Sequence, residues 1–329
     1  MVKRFRVGII GLGAIGNRIA KAFAKHPASR VAVVCDIDPE LADRMAFHLQ
    51  ADRWVTDYRE MLEGDQVDLV YVAVPPRFHR QMALDIMEAG KHILCEKPLA
   101  LTLDEAAEMA ARARETGLVN AVNLPMHTSP GIRAFKEQLE GGYLGRFRRG
   151  ELRLLFPKWP RDWQQNPWIG KREQGGPIRE VGPHLFHAIM QFFGPIARVR
   201  AEMEYPADPE ACEIGAYGAL ELTGGGVITV SCLCGIAREE EVSLTVYGTE
   251  GTLGLVRWER PVGARGTGPL EPLPADWDGW VSPVDLLARA LQGEPVDLPT
   301  FESGLAIQRV LDAWERSAAA SGRWMPVAR

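Results

Sequence analysis

Three glycines constrain this chain more than any other feature. Gly11-Leu12-Gly13-Ala14-Ile15-Gly16 follows a short apolar run at residues 6–10 and opens directly into an amphipathic stretch at residues 14–25. In that setting Gly11 permits the tight turn, Gly13 lets the backbone come close to a ligand, and Gly16 lets helix and strand pack closely. A helix N-terminus presents unpaired N–H groups and the positive end of its dipole, so the ligand suited to this loop carries phosphates.

The second clue is Asp36, which ends another apolar run at residues 31–35. A carboxylate about 20 residues beyond such a loop accepts hydrogen bonds from ribose hydroxyls, and loop and acid together predict a dinucleotide site. Its charge repels a ribose 2′-phosphate. Ile37 and Asp38 follow with no Arg or Lys beside them, so NAD is expected in preference to NADP. The plainer readings of Asp36 are a solvated loop carboxylate or a cap for the helix entered through Asp38-Pro39.

Short apolar runs at residues 6–10, 31–35, 68–74, 92–95 and 118–122 alternate with helical periodicity at 14–25, 40–50, 77–89 and 103–115. That is the pattern of βαβ units with a parallel sheet covered on both faces. Thr102 stands three residues before Glu105, the spacing of a capping box. After a helical stretch at 130–140, a glycine-rich break at residues 141–145 changes the period to strand-like. Strands are expected at 147–156, 197–204, 215–222, 227–234, 242–247 and 252–256, with a helix at 183–193 packed on them. Helices close the chain at 283–292 and 303–320, and the Gly/Pro-rich stretch 261–274 reads as a surface loop. The expected architecture is an α/β Rossmann domain over 1–123, then an α+β domain over 124–329 with an open-faced, mostly antiparallel sheet. The C-terminal helices are expected to pack back onto the first domain.

A chain of 329 residues exceeds what one core usually serves, which agrees with two domains. A net charge of -5 without a basic run argues against a nucleic-acid partner, and no segment has the length of apolar sequence that spans a membrane. Met1-Val2-Lys3-Arg4-Phe5-Arg6 imitates the basic start of a secretory signal, but the apolar part behind it is short and broken by glycines. Cys35, Cys95, Cys212, Cys232 and Cys234 form neither a disulfide framework nor a metal-ligand pattern, so a cytoplasmic location is expected.

Glu96-Lys97-Pro98 follows the fourth apolar run and so sits at the carboxyl edge of the sheet, where open α/β proteins bind ligands. With the glycine loop, Val74-Pro75-Pro76-Arg77-Phe78-His79 and the turn Gly248-Thr249-Glu250-Gly251, it resembles the Gfo/Idh/MocA oxidoreductases, which include glucose-fructose oxidoreductase and inositol dehydrogenase. The matches span most of the chain. The resemblance implies NAD-dependent dehydrogenase or reductase chemistry on a CH–OH carbon of a sugar, polyol or cyclitol, and a homodimer or homotetramer formed through the open sheet.

Carried over by position, Lys97 matches the lysine beside the nicotinamide and the reacting carbon, where an ammonium can stabilise alkoxide character. Gly11, Gly13, Ala14, Ile15, Asp36, Val74, Pro75, His79, Glu96 and Asn123 match the cofactor-lining set. The bland alternatives are a helix-entry turn at Pro75-Pro76 and a surface His79. Residues 175–184 resemble the second signature, in which a glycine pair precedes an acid, a glycine and a histidine. His184 takes the place of that histidine, and imidazole suits a general acid/base near neutral pH. Glu180 stands where the family has aspartate and is expected to orient His184. Lys97 and His184 are expected to act on one reacting carbon.

His187 replaces another aspartate and is a substrate-contact candidate, with a histidine satisfied inside the protein as its equal rival. A metal site at Glu180, His184 and His187 is disfavoured, because Pro183 is expected to begin the helix and leave Glu180 outside it. Trp163 and Trp168, with Trp159, lie in a proline-broken segment where rings could stack on a sugar face, and core packing is the rival. Two other functions share the pattern: redox-neutral glycosidase or lyase chemistry with retained NAD, and a non-catalytic sensor, for which keeping both Lys97 and His184 has no chemical reason.

Overall fold

In the computed structural model, which describes residues 4–164 and 166–328, the chain divides into two compact units. The first comprises Met1–Leu124 and Ser282–Gln308, the second Pro125–Val281 and Arg309–Arg329.

The first unit is built from β1 (Phe5–Ile10), α1 (Ala14–Lys25), β2 (Ser29–Cys35), α2 (Pro39–Leu49), β3 (Arg53–Val55), α3 (Arg59–Leu62), β4 (Leu69–Val72), α4 (His79–Glu88), β5 (His92–Cys95), α5 (Leu103–Thr116) and β6 (Asn120–Val122). The strands pair in parallel in the order β3-β2-β1-β4-β5-β6. The order reverses between β1 and β4, the switch point at which such sheets take their ligands. Val7, Ile9, Phe23, Val34, Leu69, Tyr71 and Leu94 form the core. Thr102 and Glu105 make the reciprocal capping box that starts α5. The strand β3 is only three residues long and has no apolar run of its own, so its sequence gives no strand signal.

The second unit contains α6 (Pro130–Glu140), β7 (Phe147–Phe156), α7 (Pro177–Phe193), β8 (Ile196–Glu204), β9 (Gly215–Leu222), β10 (Val227–Cys234), β11 (Glu241–Gly248), β12 (Gly251–Val256), β13 (Arg260–Arg265) and β14 (Glu271–Pro272). Together with β15 (Met325–Pro326) they form one sheet, β14-β13-β12-β11-β7-β10-β9-β8-β15, antiparallel except where β7 meets β10. Alternate residues Gly150, Leu152, Leu154 and Phe156 of β7 point to the buried face, while Arg149 and Arg153 lie on the other. That other face exposes Tyr217, Leu233 and Tyr247. The chain returns to the first unit with α8 (Pro283–Leu291), whose Val284 and Leu287 join the first core, and α9 (Phe301–Ala319) begins in the first unit and ends in the second.

Two expectations are corrected. Residues 261–274 are not simply a loop, since β13 and β14 extend the sheet from β12. Proline and glycine suppress the strand signal there, yet at the margin of a sheet both are tolerated. The helix α7 begins at Pro177 behind Gly176 (φ 104°), so Glu180 lies inside it and Pro183 in its interior. Of two prolines that could occupy a first turn, the one behind the positive-φ glycine does so, and Arg179 loses the N–H that Pro183 lacks.

The start of α7 carries a buried acid. Glu213 is 5% exposed and accepts from the Ile178 N–H at 3.0 Å, and burial pushes its pKa up to about 7 from 4.5. The folded state therefore holds a proton that the unfolded state has released between those values, and stability falls as pH rises from about 4.5 to 7. Above pH 7 the cost is on the order of 3 kcal/mol. Glu213→Gln is expected to raise urea stability at pH 8 much more than at pH 5, and an equal gain at both would show that the carboxylate charge is not responsible.

Candidate active site

In the first unit the glycine loop has the shape its sequence implies. Gly11 adopts φ 89°, and a Cβ there would lie 2.5 Å from the Ala73 carbonyl oxygen. A Cβ on Gly16 would lie 2.0 Å from the Gly11 carbonyl oxygen. Gly13 is the N-cap of α1 and puts no side chain on the first amides, whereas Asp38, Thr102 and Ser282 cap α2, α5 and α8 with side-chain oxygens. The amides at the start of α1, which includes Ala14 and Ile15, thus keep capacity for an anion. Asp36 is beside this loop: its Oδ2 accepts from the Leu12 N–H at 2.8 Å and its Oδ1 from the Asp38 N–H at 3.1 Å. It is Asp38, not Asp36, that caps α2. These residues fit a dinucleotide.

The loops after β4 and β5 are tied together from beneath. His79 is fully buried, not on the surface, with Nε2 2.9 Å from the Val74 carbonyl and Nδ1 3.0 Å from that of Pro98. A neutral ring donates to one of these at a time, and burial pushes its pKa down, opposing the second proton. Leu99, next to Pro98, lies under the start of α9, where a Cβ on Gly304 would meet its side chain at 2.8 Å. Lys97 is half-buried on this supported segment, and Glu96 and Asn123 are buried beside it. Asn123 donates through Nδ2 to Glu96 Oε1. Tyr71, which the sequence presents as one more core residue of β4, donates to the same oxygen at 2.6 Å.

In the second unit α7 carries Glu180, His184 and His187. Glu180 and His184 are four apart on this continuous helix and share a face. Gln164 reaches Glu180 Oε2 at 3.5 Å, and the half-buried His184 ring lies edge-on to Trp258, centroids 6.1 Å apart. His187 is buried, its Nε2 3.0 Å from Nδ1 of His127, which also lies 2.8 Å from Gln191 Nε2. His127 Nδ1 has one in-plane lone pair, so as an acceptor it serves either the Gln191 amide or His187 Nε2 at a time. Burial and His127 push the His187 pKa down to about 3. Among the described residues no three His, Cys, Asp or Glu side chains are placed to hold a metal ion.

The tryptophan segment is arranged around an arginine. The Arg161 guanidinium lies 5.0 Å from the Phe156 ring centroid, 5.4 Å from Trp159, 5.6 Å from Trp163 and 5.2 Å from Trp258. Its Nε is 3.5 Å from Glu240 Oε2, and burial pushes its pKa down. Trp163 is half-exposed at the side of this cage, and Trp168 stands in a separate short turn at Pro167–Gly170. A cleft of about 480 Å³ opens along the segment, lined by Lys158, Arg161, Gln164 and Lys171 among others.

Residues 5–124 match the model of the oxidoreductase family with the NAD-binding Rossmann fold, and residues 132–254 match the Gfo/Idh/MocA C-terminal domain. The chain belongs to the Gfo/Idh/MocA family. It is an NAD-binding oxidoreductase of that family. Among its relatives, D-glucoside 3-dehydrogenase of Escherichia coli is 26% identical over 95% of this chain and 95% of its own length. The 1,5-anhydro-D-fructose reductase of Ensifer adhaerens is 28% identical over 78% of each chain. The solved structure of levoglucosan dehydrogenase in complex with NADH has the same fold, with a TM-score of 0.88, 21% identity and coverage of 99% of this chain and 100% of that one.

Proposed function

We propose that the protein transfers a hydride between NAD and a carbinol or carbonyl carbon of a sugar, polyol or cyclitol. The observation that carries this reading is the supported Lys97 segment at the same sheet edge as the glycine loop and Asp36. The names of the relatives, a glucoside dehydrogenase and an anhydrofructose reductase, support a carbohydrate substrate. In this reading the first unit holds the cofactor, and the second carries substrate recognition and self-association.

The nicotinamide, when bound, accepts or returns the hydride. Gly11, Gly13, Ala14 and Ile15 hold its pyrophosphate and Asp36 its adenosine ribose. Val74, Pro75, Glu96 and Asn123 line the nicotinamide half, and His79 keeps the two loops that carry them in place. The Lys97 ammonium stabilises the alkoxide as the C–H bond breaks. His184 takes the hydroxyl proton during oxidation and passes it to solvent, or gives it back during reduction. Glu180 orients His184 along α7. A substrate contact by His187 would cost its bond to His127, so it shapes the pocket from behind, while Trp163 and Trp168 supply apolar surface to the sugar. In this reading homodimer or homotetramer assembly uses the sheet face with Tyr217, Leu233 and Tyr247, and the free thiols suit the reducing cytoplasm.

The test is a panel of sugars, polyols and cyclitols followed by NADH absorbance and product analysis. Net NADH with a ketone or lactone product is expected. Products without net NADH would instead mark redox-neutral chemistry with retained cofactor, and NAD and sugar binding without any product would mark a sensor.

Cofactor choice has its own test. With Asp36 replaced by Ser and Ile37 by Arg, preference in kcat/KM is expected to move toward NADP by about tenfold or more, as loss of one repulsion and gain of one phosphate contact warrant. A natural preference for NADP in the unmodified protein would show that Asp36 does not face the ribose.

A further inference from the structure

Resting on the NAD-dependent reading above, we propose that Tyr71 is a positioning residue, holding the Glu96 carboxylate, and through it the Asn123 amide, in one fixed arrangement beside Lys97. Tyr71 is fully buried in the first core, its ring 6.3 Å from that of Phe23. A phenylalanine would fill that place with no polar group to satisfy. A buried phenol must find a partner, and here it is an acid 25 residues on. Tyr71 pairs with Leu94 across β4 and β5, so its hydroxyl reaches past the strand end to Glu96, with Oη to Oε1 at 2.6 Å.

Three donors from three neighbouring strand ends converge on this carboxylate. Tyr71 Oη and Asn123 Nδ2 both donate to Oε1, and the Lys97 backbone N–H lies 3.3 Å from Oε2. A carboxylate so supplied has little freedom to turn. Because the carboxylate oxygen accepts, Nδ2 must face it, and the orientation of the Asn123 amide is settled. Its Oδ1 is then a buried acceptor without a hydrogen-bond partner. A core built for stability alone does not leave such an atom, since an unsatisfied buried acceptor is costly. Burial and the adjoining Glu96 push the Tyr71 pKa well above its ordinary value, so the phenol stays a donor.

Tyr71→Phe keeps the ring and removes only the donor. Turnover is expected to fall about tenfold, the worth of one hydrogen bond to a charged group, while KM for NAD changes less than about twofold. The Asn123 side-chain amide resonance, assigned by its loss in Asn123→Leu, is expected to move and to exchange faster with water. This NMR readout needs no substrate, so a protein that oxidises no sugar would sink the functional reading and leave this proposal open to its own test. Should Tyr71→Phe fail to fold, Glu96→Gln must move the same resonance. An Asn123 amide unmoved in the folded variant or variants, with only the melting temperature lowered, would overturn the proposal and leave Tyr71 a core residue.

Discussion

Lys97→Ala and His184→Ala are each expected to lose on the order of 10²-fold or more in turnover while NAD affinity stays within a few-fold. The first removes the cation that stabilises an alkoxide, the second the proton acceptor, and neither residue belongs to the glycine loop or to Asp36. Stopped-flow NADH formation read beside NADH fluorescence titration separates the two effects. If both residues serve one proton transfer, the double variant loses much less than the product of the single losses. Glu180→Gln is expected to be milder, because it keeps the shape and loses only the charge. A Glu180→Gln variant as inactive as His184→Ala would make Glu180 the base. Full activity in either alanine variant, in a protein that folds and binds NAD, would remove that residue from the mechanism.

Gly16→Ala carries the other large effect. Its Cβ would sit 2.0 Å from a backbone oxygen of the same loop, which has no flexible side-chain end to move aside. The loop or α1 must shift, at about 1–3 kcal/mol in stability by the usual cost of overpacking. A displaced helix N-terminus no longer meets the pyrophosphate, and NADH affinity is expected to fall tenfold or more. Gly64→Ala is the control: unlike the helical Gly16 it has a positive φ, 65°, but nothing lies within 4 Å of its Cβ. Its strain is confined to the backbone, and its NADH titration should match the parent. A Gly16→Ala protein that binds NADH normally would show that the loop accommodates a methyl group.

What was legible in the sequence is what neighbouring residues decide among themselves. The glycine loop, the acid after β2 and the capping box at Thr102 each lie within one element and its flanks, so their spacing carries the message. Tyr71, Glu96 and Asn123 are separated by 25 and 27 residues and meet only because β4, β5 and β6 end side by side. In an apolar strand a tyrosine looks like filling. The cage around Arg161 is hidden for the same reason: half of it, Phe156 and Trp258, comes from β7 and the turn before β13, so the tryptophan segment alone does not show it. At α7 two prolines offered a helix start, and the deciding glycine at 176 shows its positive φ only in the folded chain.

The first unit is assembled from two stretches of chain far apart in sequence, and this sets the order of events during synthesis. When residue 124 leaves the ribosome the parallel sheet has all six strands, but Val284 and Leu287 of α8, which complete its core, are still some 160 codons away. At about 5–20 residues per second that is a wait of about 8–32 seconds with apolar surface uncovered. Chaperones that recognise exposed apolar surface have that interval in which to bind. For the same reason a gene cut after Leu124 encodes an unfinished nucleotide-binding half, and a self-sufficient one needs residues 282–308 joined back to it.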